Sequence, residues 1–239
     1  MEPVVTAPGA APPRVPFLCG PKMKKTVITI YLSSLFCALC CVSAAQEQSK
    51  ARDLYLSFAK TASKSANQRR GRPGSKVKIE LMRNNRLSLV STQEALLDGD
   101  RIAFRTAVNY RGYMTVTNAG TSGKMNILYA GEVSPSSDMR IPAKGWIRVT
   151  GKGGDEVVNF IMSSEAIQEL RQIAIPAANG TPAESDEEAQ KLIAQVNGRA
   201  LNQGRDLVIE NDGDETYALA ASTQQIRAPV GFSIKLKHR

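Results

Sequence analysis

The side chains able to do chemistry in this chain are few, and their spacing argues against catalysis. His238 is the single histidine and stands next to the last residue. All four cysteines, Cys19, Cys37, Cys40 and Cys41, precede Gln46. No Gly-x-Ser-x-Gly run is present, so neither a Ser-His-Asp nor a Cys-His apparatus is expected. Two close carboxylate pairs remain, Asp98 with Asp100 and Asp155 with Glu156. A glycosidase pair must flank a scissile bond, whereas acids beside each other in turns cap the backbone and solvate. Glu210, Asp212 and Asp214 alternate like the first ligands of a calcium loop, but Glu215 stands where that loop needs Gly and Ala221 where it needs Glu. Five residues separate Gly145 from Gly151, and Gly153 follows Lys152, so a phosphate loop fails on spacing. Glu156 replaces the third glycine of a dinucleotide fingerprint, and a β-turn explains Gly151-Lys152-Gly153-Gly154. No cofactor, metal site or catalytic residue is expected.

Binding is the remaining chemistry. The chain carries 31 basic and 22 acidic residues, a net +9. Four of the basic residues (Arg14, Lys22, Lys24, Lys25) and one acid (Glu2) precede Gln46, which leaves 27 against 21, or +6, for the rest. That excess permits contact with polyanions, and equally suits a solvated basic surface. The densest run is Lys50, Arg52, Lys60, Lys64, Arg69, Arg70 and Arg72, against Glu47 and Asp53. It reads as a docking segment for an acidic polymer or membrane surface, or as a soluble tether. Only Tyr55 and Phe58 interleave with it, so a base-stacking platform is not expected. Tyr113 and Trp146 are candidates for a recognition face, with core or cross-strand packing as the alternative.

Residues 1–22 are rich in Pro, Ala, Gly and Val and lack periodicity. Met23-Lys24-Lys25 then opens a basic n-region, an apolar run from Thr26 to Val42 and the small residues Ser43-Ala44-Ala45. This order is that of a secretory signal peptide. Translation from Met23 and cleavage after Ala44 or Ala45 are expected. The alternative, a retained membrane anchor, is weakened by Thr29, Ser33 and Ser34. Phe36, Leu39 and Cys40 directly precede the three later cysteines and do not form a lipobox. Three parts follow: a leader at 1–45, a basic helix and linker at 46–75, and a β-rich domain at 76–239.

Leu54 and Phe58 predict a short helix over 51–65, and Gly71, Pro73 and Gly74 a linker. Val77, Ile79 and Leu81 alternate with Lys78, Glu80 and Met82, and Asn84-Asn85 turns the chain into Leu87 and Leu89, making a hairpin. Ile102, Phe104, Thr106 and Val108 read as a half-buried strand, Tyr113 to Thr117 and Met125 to Tyr129 as two more, and Val157 to Met162 as a fully buried one. Ser163 or Ser164 is a candidate cap for a helix running to Ile173. Thr181-Pro182-Ala183-Glu184 is a helix start, followed by Ala189, Leu192, Ile193, Val196 and Ala200 at helical spacing. Asp206–Glu210, Thr216–Ala221 and Val230–Lys237 close the chain as strands, with a turn at Asn211 to Asp214.

Gly99-Asp100, Gly112-Tyr113, Gly123, Ile141-Pro142 and Gly154-Asp155-Glu156 together resemble a bacterial family named domain of unknown function 4384. The likeness covers Val77 to Ser163 well and the rest loosely. The ending Ile234 to Arg239 looks like the close of exported members, whereas Leu128-Tyr129-Ala130 departs from the Leu-Phe-Pro that many members carry. The resemblance implies a β-rich accessory or interaction module and no known activity.

The expected fold is mainly β, an antiparallel sandwich of about seven to nine strands with one or two helices inserted after the central sheet. The expected function is an exported, periplasmic or extracellular, non-catalytic envelope module that binds another macromolecule, a protein or an acidic envelope polymer. Nucleic acid is not expected as a partner, and membrane contact only through an uncleaved signal or electrostatics. The competing reading is a carboxylate-dependent envelope hydrolase, which needs two acids converging in a pocket.

Overall fold

The computed structural model describes residues 50–62, 72–135, 138–174, 187–204, 207–221, 226 and 228–239. The leader, its cysteines and the helix start at Thr181 lie outside the described residues. The described residues fall within one compact unit, Gln48–Arg239, which holds the basic helix together with the strands.

Alternation drives the architecture. In β1 (Gly74–Arg83) and β4 (Arg101–Val108) the apolar residues Val77, Ile79, Leu81, Ile102, Phe104 and Val108 point one way and are buried. Those strands form the centre of sheet A, in the order β10 (Leu207–Asp212), β11 (Glu215–Ala220), β1, β4, β7 (Asp138–Ile141). Two short strands complete it. β2 (Arg86–Val90) pairs with β1 beyond the end of β11, and β8 (Ile147–Arg148) pairs with β4 beyond the end of β7. Sheet B runs β3 (Ala95–Leu96), β12 (Val230–His238), β9 (Gly154–Ser163), β5 (Gly112–Ala119), β6 (Met125–Val133). All pairs are antiparallel except β3 with β12. The sandwich expected from alternation is present. It has twelve strands among the described residues, more than expected, in part because β3 and β8 span only two residues each.

The inner faces meet in one core that includes Phe104 of sheet A and Met114, Val116, Phe160 and Phe232 of sheet B. Phe160 stacks on Phe232 at 5.3 Å and meets Phe104 edge-on at 5.6 Å. Gly112 is required where β5 passes β9, since a β-carbon there would lie 2.4 Å from the Ser163 carbonyl oxygen.

Both outer faces carry a helix. α1 (Ala51–Ala62) seats Ala51 and Tyr55 on Tyr217 and Leu219 of β11. The Tyr55 and Tyr217 rings meet edge-on at 5.6 Å. Glu210 of β10 accepts the Arg52 backbone N–H at 3.2 Å, placing a carboxylate at the helix N-terminus. On sheet B, α3 (Glu187–Gln203) lays Ile193, Val196 and Ala200 on Ile127 and Ile161, which is why β9 is buried on both sides. The helix expected from Ser163 onward is instead a 3-10 turn at Gln168–Leu170 followed by the short α2 (Arg171–Ala174). Ser163 caps nothing, and its hydroxyl donates to the Glu165 carbonyl at 2.7 Å.

Two polar devices fix α3. Ser233 donates to Asn159, Asn159 to Thr117 and Thr117 to Asn197, a chain crossing β12, β9, β5 and the helix. Gln190 donates to the Met125 carbonyl at 2.8 Å and accepts its N–H at 2.6 Å, so one side-chain amide satisfies the edge of β6 as a strand would.

Phe160→Ala should cost about 3–5 kcal/mol, because it leaves both Phe104 and Phe232 facing a void. Chemical denaturation of the two proteins measures this as a lower midpoint at unchanged slope.

Candidate functional site

α1 covers only the β10–β11 end of sheet A. Where it stops, the outer face opens into a cavity of about 500 Å³ lined by Lys76, Lys78, Glu80, Leu87, Leu89, Arg105, Ala107 and Asp138. Alternation puts these side chains there. Lys76, Lys78 and Glu80 are the β1 residues whose neighbours Val77, Ile79 and Leu81 enter the core. Leu89 lies opposite Glu80 and Leu87 opposite Met82, so the hairpin register points both leucines outward, 45% and 59% exposed. The alternation of Leu87 and Leu89 is real, but their face is the solvent side.

The floor is a network of ions. Glu80, buried, accepts Arg105 Nε at 2.5 Å and Arg140 Nε at 2.8 Å. Arg105 also donates to Asp138 at 3.1 Å. Burial pushes the Glu80 carboxyl up, but the bonds from Arg140 and Arg105 outweigh it and hold the group below the usual carboxylate range. Glu215 pairs with Lys78 at 2.6 Å and Lys76 at 3.6 Å, and accepts the Tyr217 hydroxyl. Its carboxyl is likewise held low, the lysine and tyrosine bonds overcoming burial. Two carboxylates, Glu80 and Asp138, thus face one cavity, but Arg105 bridges them. A carboxylate held ionised in this way is a poor proton donor. The arrangement suits reading a chain that carries both apolar and charged groups.

A second cluster lies at one end of the sandwich. Arg83 makes hydrogen bonds of 2.7–3.2 Å to both Asp100 oxygens and bonds Glu94 and the Ala95 carbonyl, while Asp100 also accepts the Leu97 N–H at 2.8 Å. Burial raises the Asp100 carboxyl, and the Arg83 and Leu97 bonds more than reverse this. Inward from this clamp stand Glu156 and His238, both buried. The His238 Nδ1 has no hydrogen-bond partner among the described residues. Burial pushes the Glu156 carboxyl up, and a positive charge on His238 eases it back. The sequence pairs are therefore divided: Asp98 and Asp155 are exposed, and Asp100 and Glu156 turn inward toward the same histidine. Neither Asp100, Glu156 nor His238 lines the cavity on sheet A or the one of about 410 Å³ between Ser163–Glu169 and the C-terminal half of α3.

The residues singled out from sequence do not converge. Tyr113 lies on the outside of sheet B, its hydroxyl donating to Glu132 at 2.8 Å. Trp146 lies on the sheet A side, under the Arg140 guanidinium at 4.3 Å. They do not form one recognition face. Of the basic segment, Lys50 is exposed, while Arg52 pairs with Asp212 at 2.9 Å, so the acidic run once compared with a calcium loop holds a helix instead. Lys60 falls within α1, Arg72 offers its carbonyl to Asn109, and Lys64, Arg69 and Arg70 lie outside the described residues. Among the described residues no group of three His, Cys, Asp or Glu side chains is placed to hold a metal ion, and no helix is long and apolar enough to cross a membrane. Sequence reading missed the cavity residues Arg105 and Asp138 and the Glu80 partner Arg140. The available signal was Glu80, an acid in a strand whose partner across the register is Ala103, which must find its counter-ions diagonally, at Arg105 on the same strand as Ala103, and one strand further on, at Arg140.

Comparison with protein-family models, curated proteins and solved structures gives no match to this chain.

Glu156 gives a pH signature. Its folded carboxyl is raised, so between the ordinary carboxylate range and the raised value the folded protein holds more protons than the unfolded chain. Stability therefore falls as pH rises through that window. Glu156→Gln removes the effect: it should melt higher than the parent at pH 8, with the gap closing toward pH 4. Calorimetric melting across that range checks it, and a gap independent of pH would refute the assignment.

Proposed function

We propose that this protein is an exported, non-catalytic module of the cell envelope that binds another macromolecule through the uncovered outer face of sheet A. The observation that carries the reading is the cavity beside α1, with two exposed leucines at its rim and a floor of paired charges. Exposed aliphatic side chains beside ordered ions are what a protein partner requires, an apolar contact ringed by polar ones. Lys76, Lys78 and Arg105 equally suit an acidic envelope polymer, which would compete with Glu215, Glu80 and Asp138 for them. The signal-like segment at 23–45 supports delivery across a membrane.

A photo-cross-linking residue at Ala107, in the floor of the cavity, should label one envelope component. The same group at the exposed Lys191 of α3 should not. Lys78→Glu combined with Leu87→Asp should remove the labelling while leaving the melting curve cooperative. Equal labelling from both positions would defeat the proposal. For export, intact-mass and N-terminal peptide measurement on protein from its host should give a mature terminus at Ala45 or Gln46 and no reaction with thiol reagents. A product retaining Cys37, Cys40 or Cys41 would identify the segment as an anchor.

A further inference from the structure

Among the described residues β2 hydrogen-bonds to β1 alone, and its other edge is open. Asn84 and Asn85, both at positive φ, make a two-residue turn, so Arg83 and Arg86 form the first hydrogen-bonded pair of the hairpin. Alternation from there turns the N–H and C=O of Arg86, Ser88 and Val90 toward β1 and those of Leu87 and Leu89 toward the open edge. The two exposed leucines are thus also the residues whose backbone groups face the open edge. An edge of this kind is a template for another strand.

We propose that the strand it accepts is β2 of a second copy, making a twofold dimer centred on Ser88. The register is self-consistent. With Ser88 opposite its mate, Leu87 faces Leu89 of the other copy and Leu89 faces Leu87. Both pairs bring outward N–H and C=O groups together, closing four hydrogen bonds and setting four leucines side by side. Charge selects a second copy over an unrelated strand. Val90 lies opposite Ile79 on β1, and Glu215 opposite the adjacent Lys78. The β10–β11 turn, with Asp214, therefore abuts the end of β2 at Val90. In the dimer, Arg86 of one copy stands opposite Val90 of the other, within reach of that turn. The symmetry repeats the pair at the far end. Among the described residues neither Arg86 nor Asp214 has an ion-pair partner in the single copy. Pairing would also join the two sheet A cavities across the twofold into one longer cleft. A five-residue edge makes a small interface, so the dimer is weak, with a Kd of the order of 0.1 mM.

Sedimentation equilibrium of the purified protein up to about 1 mM should show the weight-average mass rising toward twice the monomer value, to about 1.8-fold at the top concentration. Arg86→Glu and Asp214→Arg should each keep it at the monomer value, and the double variant should restore the rise. Leu89→Pro, which removes an N–H directed only at the open edge, should also abolish association while β1–β2 pairing survives. Near-parental melting temperatures confirm that the variants fold. A parent that stays monomeric throughout, single reversals that still associate, or a double variant that does not recover would each overturn the dimer. Arg86 and Asp214 lie outside the residues that line the cavity, so the charge reversals and their rescue test the dimer apart from the binding face, whereas Leu89 belongs to both.

Discussion

The contact on which the structure depends is Phe160 between Phe104 and Phe232. Two sheets bury their apolar faces only if side chains from both interdigitate, and these three rings join β9 and β12 of sheet B to β4 of sheet A. Every outward alternative in those strands follows from that commitment. Once Val77, Ile79 and Leu81 are inside, Lys76, Lys78 and Glu80 must be outside. The cavity is a by-product of core formation, given its character by which outer residues are charged and by how far α1 extends.

The two outer faces solve the same problem differently. Sheet B is sealed: α3 covers its apolar patch, a chain of hydroxyls and amides ties the helix down, and Gln190 satisfies the rim of β6. Among the described residues sheet A is covered only over β10 and β11, and beyond α1 its charges neutralise one another in place. Binding through sheet A needs no rearrangement of the core. Binding through sheet B would require α3 to lift.

The strands with clean alternation were legible in the sequence: Ile102 to Val108, Tyr113 to Thr117, and the unbroken apolar run at Val157 to Met162. So were the left-handed turn residues, since Asn84, Asn85, Gly99, Gly123 and Gly213 all adopt positive φ. The leucines of β2 were misleading, because periodicity shows that two residues share a face and says nothing about which face a core will form against. Short strands such as Ala95–Leu96 carry no period at all. The approach of Asp100 and Glu156 to His238 was hidden for another reason. It joins three distant segments through the register of β12 against β9 and β3, and charge order along the chain does not encode register. The helix at Ala51–Ala62 was visible, but its docking depends on Tyr217 and Glu210, far away in sequence.

The place of β12 in sheet B bears on the order in which the molecule can be built. Residues 230–238 lie between β3 and β9, and their inward side includes Phe232, Ile234 and Leu236 of the core. β11, also late in the chain, supplies the seat for α1 and pairs with β1. Neither sheet can close while the chain is still being delivered from its N-terminal end, and the early strands have only one another to pair with. Such a domain completes its core in a single late step dominated by distant contacts. Until that step the early strands stay exposed and need protection from association.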